Sequence, residues 1–161
     1  MVAQPTITFH DRRRQRLPVH RRCIVDELLA RNWAREDRLG IGGRSMGGEV
    51  VYASILVEQR LRAAASIVGS PEWTLPLSDS PHHHPQRFYP VAILSQAAEL
   101  DAFVPATPIR EFHAGLAAAY GQAPERNQYI EHAGVGHSLT PELNEESCRL
   151  VGAWFDRWLA S

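Results

Sequence analysis

The segment Gly43-Arg44-Ser45-Met46-Gly47, followed by Gly48, constrains this chain more than any other. It reads G-x-S-x-G and stands between a strand pattern, Leu39 to Gly43, and a helix pattern, Gly47 to Gln59. A chain that reverses from strand into helix so abruptly holds its central serine in a strained backbone conformation. A side chain two residues before or after that serine is expected to collide in the turn, which accounts for both glycines. The turn lifts the Ser45 hydroxyl above the end of a sheet, and the following helix points its N-terminus at the same place. Backbone N–H groups there favour negative charge, so the Met46 N–H is a candidate oxyanion donor.

The rest of the chain alternates in the same way, which predicts parallel βα units. Helical spacing runs over Cys23 to Trp33, with Ile24, Val25, Leu28 and Leu29 apolar. Val50, Val51, Ile55 and Leu56 make the stripe of the next helix. Strands are expected at Ala63 to Val68, Val91 to Leu94 and Gln128 to Ile130. Ser70 to Pro90, rich in Pro, Ser and His, reads as an irregular excursion. Thr107 and Pro108 are expected to open a helix that Gly121 closes, with Ile109, Phe112, Leu116 and Tyr120 facing inward. Thr140 and Pro141 open the last helix, whose inner face is Leu150, Val151, Trp154 and Trp158. The expected fold class is α/β, a mainly parallel sheet with helices on both faces.

Residues 1–22 depart from this pattern and are expected to form an irregular or partly ordered segment before a domain spanning 23–161. Thr6 to Phe9 is a further strand candidate. Six arginines fall between Arg12 and Arg22. A nucleic-acid or membrane arm is one reading of that run, and a solvated tail is the other. With a net charge of −1 the chain as a whole does not attract nucleic acid or an anionic membrane, so the tail is preferred. No run approaches the roughly 18 apolar residues of a membrane span. Two cysteines, Cys23 and Cys148, make no disulfide framework and read as packed thiols of a cytoplasmic protein.

A serine hydroxyl needs a base to take its proton. His137, in Ala133-Gly134-Val135-Gly136-His137-Ser138, stands on a glycine-flanked loop just before the last helix. The base needs an orienting carboxylate. Asp101 follows the strand at Val91 to Leu94, in Glu99-Leu100-Asp101-Ala102-Phe103-Val104-Pro105, with Glu99 as the lesser alternative. The order Ser45, Asp101, His137 is the chain order of a nucleophile-elbow hydrolase.

In this order the segments resemble the α/β-hydrolase superfamily, and within it esterases and prolyl-oligopeptidase-like hydrolases. Arg38 to Gly48 resembles the elbow, Ala64 to Trp73 the next strand and loop, Glu99 to Pro105 the acid loop, and Gly136-His137 the histidine loop. The resemblance runs from about Leu17 to the C-terminus. It implies hydrolysis of a small-molecule ester or related acyl bond through an acyl-enzyme, with no cofactor.

Family members carry His-Gly shortly before the acid, where this chain has Ala97-Ala98. They also place several strands and a second oxyanion donor, often marked His-Gly-Gly, before the elbow. Only 44 residues precede Ser45 here and none form that motif. Leu17-Pro18-Val19-His20-Arg21-Arg22 resembles a Pro-x-His-Gly-x-Arg stretch of the family. The expectation is therefore a domain shortened at its N-terminal end, with Phe9-His10-Asp11 as a substitute source of the donor. The elbow strand then becomes an open edge, through which a homodimer is expected. The non-enzymatic alternative is an inactive hydrolase-fold protein acting by association.

Around the site, Trp73, Phe88 and Tyr89 are candidates for an acyl pocket or for the core. Arg44 either makes a structural contact or sits at the site's mouth. His82-His83-His84 reads as a polar surface loop, since adjacent histidines cannot all face one ion, and no metal site is expected.

Overall fold

The computed structural model describes residues 17–73 and 79–160, with side chains from residue 24 onward. Among the described residues eight α-helices and β-strands follow one another. They are α1 (Leu17–Ala30), β1 (Leu39–Arg44), α2 (Met46–Ile55), β2 (Leu61–Ile67), β3 (Ala92–Ala98), α3 (Ala106–Leu116), β4 (Asn127–His132) and α4 (Pro141–Leu159). The four strands form one sheet in the order β1-β2-β3-β4, and every pair is parallel. The expected α/β class with helices on both faces is what the structure shows.

Alternation along the central strands sorts the core into two layers. On one face Ala64 and Ile93 meet Val51, Tyr52 and Ile55 of α2 and Phe112 and Leu116 of α3, with Val25 of α1 at the margin. On the other face Ala63, Ala65, Ala92 and Leu94 meet Trp154, Phe155 and Trp158 of α4. The alanines of β2 are all but fully buried, and their small side chains let the helices approach the sheet from both sides.

Several expected boundaries shift. Helix α1 begins at Leu17, so the division expected after residue 22 falls inside a helix. The Thr6 to Phe9 strand and the Phe9-His10-Asp11 donor lie outside the described residues. Strand β3 continues to Ala98, past the expected end at Leu94. Helix α3 starts at Ala106 behind Pro105, so Thr107 is not its cap. It ends at Leu116, and Gly121 lies in the turn beyond. The Thr140 cap of α4 forms as expected, its hydroxyl accepting from the Leu143 N–H at 3.3 Å. Cys148 is exposed on α4 and is not a packed thiol, because Ser147 takes the inward position beside it. The excursion before β3 holds two single 3₁₀ turns, Pro81–His83 and Pro85–Arg87.

Candidate active site

The carboxyl ends of the four parallel strands meet on one side of the molecule, where open α/β sheets place their sites. Ser45 sits there between β1 and α2 with φ 52° and ψ −120°, a conformation that non-glycine residues seldom adopt. Its N–H donates to the Ile67 carbonyl at 2.8 Å, which ties the turn to the end of β2. Gly43 is required as expected, because a Cβ there would fall on the backbone of Gly47. Gly47 itself is different. A Cβ at Gly47 meets nothing within 4 Å, so the expectation of a collision on both sides holds on one side only. The second tight glycine is Gly48. A Cβ there would stand 2.6 Å from Ser66 Oγ and 2.9 Å from the Gly69 Cα. Helix α2 therefore rests directly on the turn after β2, where Val68 also takes a positive φ of 44°.

Asp101 and His137 are brought to Ser45 by two loops joined through their backbones. The Glu99 N–H donates to the His132 carbonyl at 3.0 Å, and the Leu100 N–H to the Val135 carbonyl at 2.8 Å. Within this frame Ser45 Oγ lies 2.8 Å from His137 Nε2, and His137 Nδ1 lies 2.7 Å from Asp101 Oδ2. The other Asp101 oxygen, Oδ1, accepts from the N–H groups of Phe103 and Val104, both at 2.8 Å. The carboxylate side chain has no exposure, while the imidazole is a quarter exposed. A carboxylate held at both oxygens fixes the ring orientation and the tautomer that leaves Nε2 facing the hydroxyl. Glu99 does not compete for this role, since its Oε2 accepts from the Gly134 N–H at 2.8 Å.

The Met46 N–H opens α2 and has no acceptor within its own helix. Arg44 donates to Asn144 Oδ1 at 2.8 Å and to the His137 carbonyl at 3.4 Å, tying β1 to the first turn of α4 and to the histidine loop. His132, at the end of β4, has Nε2 at 2.9 Å from Gln96 Oε1, and burial lowers its pKa against the opposing charge of Glu146.

The pocket candidates divide. Trp73 lines a cavity of about 290 Å³ with Ser70, Phe103, Val104 and others, next to the acid loop. Phe88 is fully buried in the core against Tyr52 and Phe112. Tyr89 precedes β3 and packs on Tyr120 at the opposite end of the sheet. Phe88 thus takes the core alternative, and Tyr89 stands away from the site because the excursion after β2 returns to the amino ends of the strands before β3 begins. The His82 ring pairs with Ser80 at 2.7 Å, and among the described residues no group of three His, Cys, Asp or Glu could hold a metal. Sequence reasoning missed Asn144, Gly69 and Phe103, whose ring stands edge-on to His137 at 5.7 Å. Only their place beside the motif residues could have pointed to them.

No protein-family profile and no curated protein matches the chain. Solved structures do. TT1662 from Thermus thermophilus superposes with a TM-score of 0.69 at 18% identity, over 86% of this chain and 62% of that one. A puromycin-hydrolyzing peptidase from Mycobacterium tuberculosis gives 0.70 at 21% identity, over 84% and 24%. A single-residue variant of SOBER1 from Arabidopsis thaliana gives 0.62 at 20% identity, over 87% and 62%. The fold is that of the α/β-hydrolases. The chain spans less than two thirds of the length of these α/β-hydrolase structures.

Proposed function

We propose that this chain is a serine hydrolase that cleaves a carboxylic ester or related acyl bond of a small molecule. The observation that carries the reading is the continuous relay from Ser45 Oγ through His137 to Asp101, with steps of 2.8 and 2.7 Å. In this reading His137 Nε2 takes the Ser45 proton as Oγ attacks the acyl carbon. The Met46 N–H and the α2 N-terminus stabilise the oxyanion. His137 returns the proton to the leaving alcohol, and water then frees the acyl group from Ser45 by the same path. This chemistry uses no cofactor. Peptide bonds are a further substrate class, suggested by the puromycin-hydrolyzing peptidase and a dipeptidyl aminopeptidase IV among the similar structures. The reading places the protein in the cytoplasm. Among the described residues no helix is long and apolar enough to cross a membrane.

A second reading has one observation of its own. Strand β1 carries the nucleophile turn and is an edge of the sheet among the described residues. A hydrolase-fold protein acting by self-association would use that edge. Labelling by a fluorophosphonate probe separates the two. Under the hydrolase reading the full chain is labelled and Ser45→Ala is not, with esterase turnover reduced by about 10⁴ or more. A folded chain that resists the probe would leave association as the function.

A further inference from the structure

Large apolar side chains are unevenly placed on this surface. Six stand exposed among the described residues, and three of them adjoin the triad in sequence. Met46 follows Ser45, and Leu100 and Phe103 flank Asp101. Single exposed apolar residues need no account, but three standing beside Ser45 and Asp101 in the sequence call for one.

Phe103 stands out among them. It is 83% exposed, although its backbone N–H is fixed at 2.8 Å to the buried carboxylate of Asp101. Its ring stands edge-on to His137 and also lines the 290 Å³ cavity with Trp73, Val104, Pro105 and Pro108. That cavity opens between the acid loop, the turn after β2 and the first turn of α2, the three segments that surround Ser45. Phe103, whose ring meets His137 at 5.7 Å, joins the cavity to the Ser45–His137 pair, so the cavity stands beside the carbon that Ser45 attacks in the hydrolase reading. Two carboxylates, Glu49 and Glu72, and no Lys or Arg are among the described residues that line it. An acyl group bearing its own carboxylate finds no cation among those described residues. An uncharged aromatic acyl group finds two rings, two prolines and a valine.

We propose that Phe103 is a specificity-determining residue, and that with Trp73 it selects substrates with an uncharged aromatic acyl group. The proposal rests on the hydrolase reading for its chemistry, but not for its binding.

The test therefore has a binding arm and a kinetic arm, both on the full chain. In Ser45→Ala, phenylacetamide and acetamide are titrated by saturation-transfer NMR. Phenylacetamide is expected to bind about tenfold more tightly or better, as burial of a ring implies, and Phe103→Ala in the same background erases the difference. With the nucleophile present, p-nitrophenyl phenylacetate is expected to exceed p-nitrophenyl acetate in kcat/KM by a similar factor. Phe103→Ala then brings that ratio close to one, and Phe103→Leu leaves it intermediate. If Phe103→Ala slows both esters equally and keeps the ratio, the ring only supports His137 and the proposal is overturned. Equal binding of the two amides overturns it as well. A chain that shows the binding preference but takes no fluorophosphonate label would remove the hydrolase reading and leave the aromatic site standing.

Discussion

At the scale of single residues, the elbow shows how much of a motif is steric and how much is not. Gly43 and Gly47 look equivalent in the pattern, yet only Gly43 has backbone in the way of a side chain. Gly43→Ala is therefore expected to break the turn or cost several kcal/mol, in the range of severe core disruptions, about 3 or more. Gly47→Ala is expected to be neutral or to stabilise by up to about 1 kcal/mol, because alanine is the better helix former in α2. Thermal unfolding of the two variants checks the contrast, and equal losses would show that the steric account is wrong. Asp101 allows a finer cut. Its Oδ1 serves the loop and its Oδ2 serves His137. Asparagine can keep the first function while its amide group faces Nδ1 and imposes the wrong tautomer. Under the hydrolase reading, Asp101→Asn is expected to lower kcat by about 10³–10⁴ with little change in stability. A parallel loss of stability would mean that the carboxylate is chiefly structural.

At the scale of elements, a buried polar chain joins α2, β3, α3 and β4. The Tyr52 and Ser95 hydroxyls lie 2.6 Å apart, and Ser95 Oγ lies 2.7 Å from His113 Nε2. His113 Nδ1 donates to Asn127 Oδ1 at 2.5 Å, and Asn127 Nδ2 donates to the His113 carbonyl at 2.9 Å. With His113 neutral and its Nε2 accepting, every group of this chain has a partner. Burial lowers its pKa from 6.5 to about 4. The unfolded chain then binds this proton below about pH 6.5 while the folded chain does not, so stability falls as pH drops. The loss accumulates between pH 6.5 and about 4, levels off below, and reaches at most about 3 kcal/mol. Denaturant unfolding of the protein and of His113→Gln at matched pH should show that step in their difference, and a flat difference would refute it. The same chain explains what the sequence left illegible. The apolar pattern of β3 breaks after Leu94 because Ser95 and Gln96 are polar, yet both are buried, Ser95 by this network and Gln96 by His132 and the Ser147 carbonyl. Helix α3 starts ahead of Thr107 because Asp101 already holds the Phe103 and Val104 N–H groups and sets its entry. The elements with strict apolar spacing, such as Ile109, Phe112, Leu116 and Tyr120, were legible and are all buried.

At the scale of the whole molecule, the two edges of the sheet are not alike. Beside β4, Arg110 pairs with Glu131 at 2.7 Å, so that edge carries charge, which discourages strand pairing. Strand β1 reads Leu39-Gly40-Ile41-Gly42-Gly43 before its first charge at Arg44. Along it runs an apolar groove of about 240 Å³, lined among others by Ile24, Val25, Leu28 and Ile41. Ile24 is 60% exposed there. An uncharged edge beside exposed aliphatic surface is a template for another strand, and in a solution of this chain alone the available strand is β1 of a second copy. We therefore expect reversible self-association that grows with concentration in sedimentation velocity. Ile24→Lys puts a charge next to the edge without entering the core, and is expected to raise the association midpoint by about tenfold or more through like-charge repulsion and lost apolar burial. A chain that sediments as a monomer at every concentration would show that β1 is not open to a second copy. Association that Ile24→Lys leaves unchanged would place the contact on another face of the molecule.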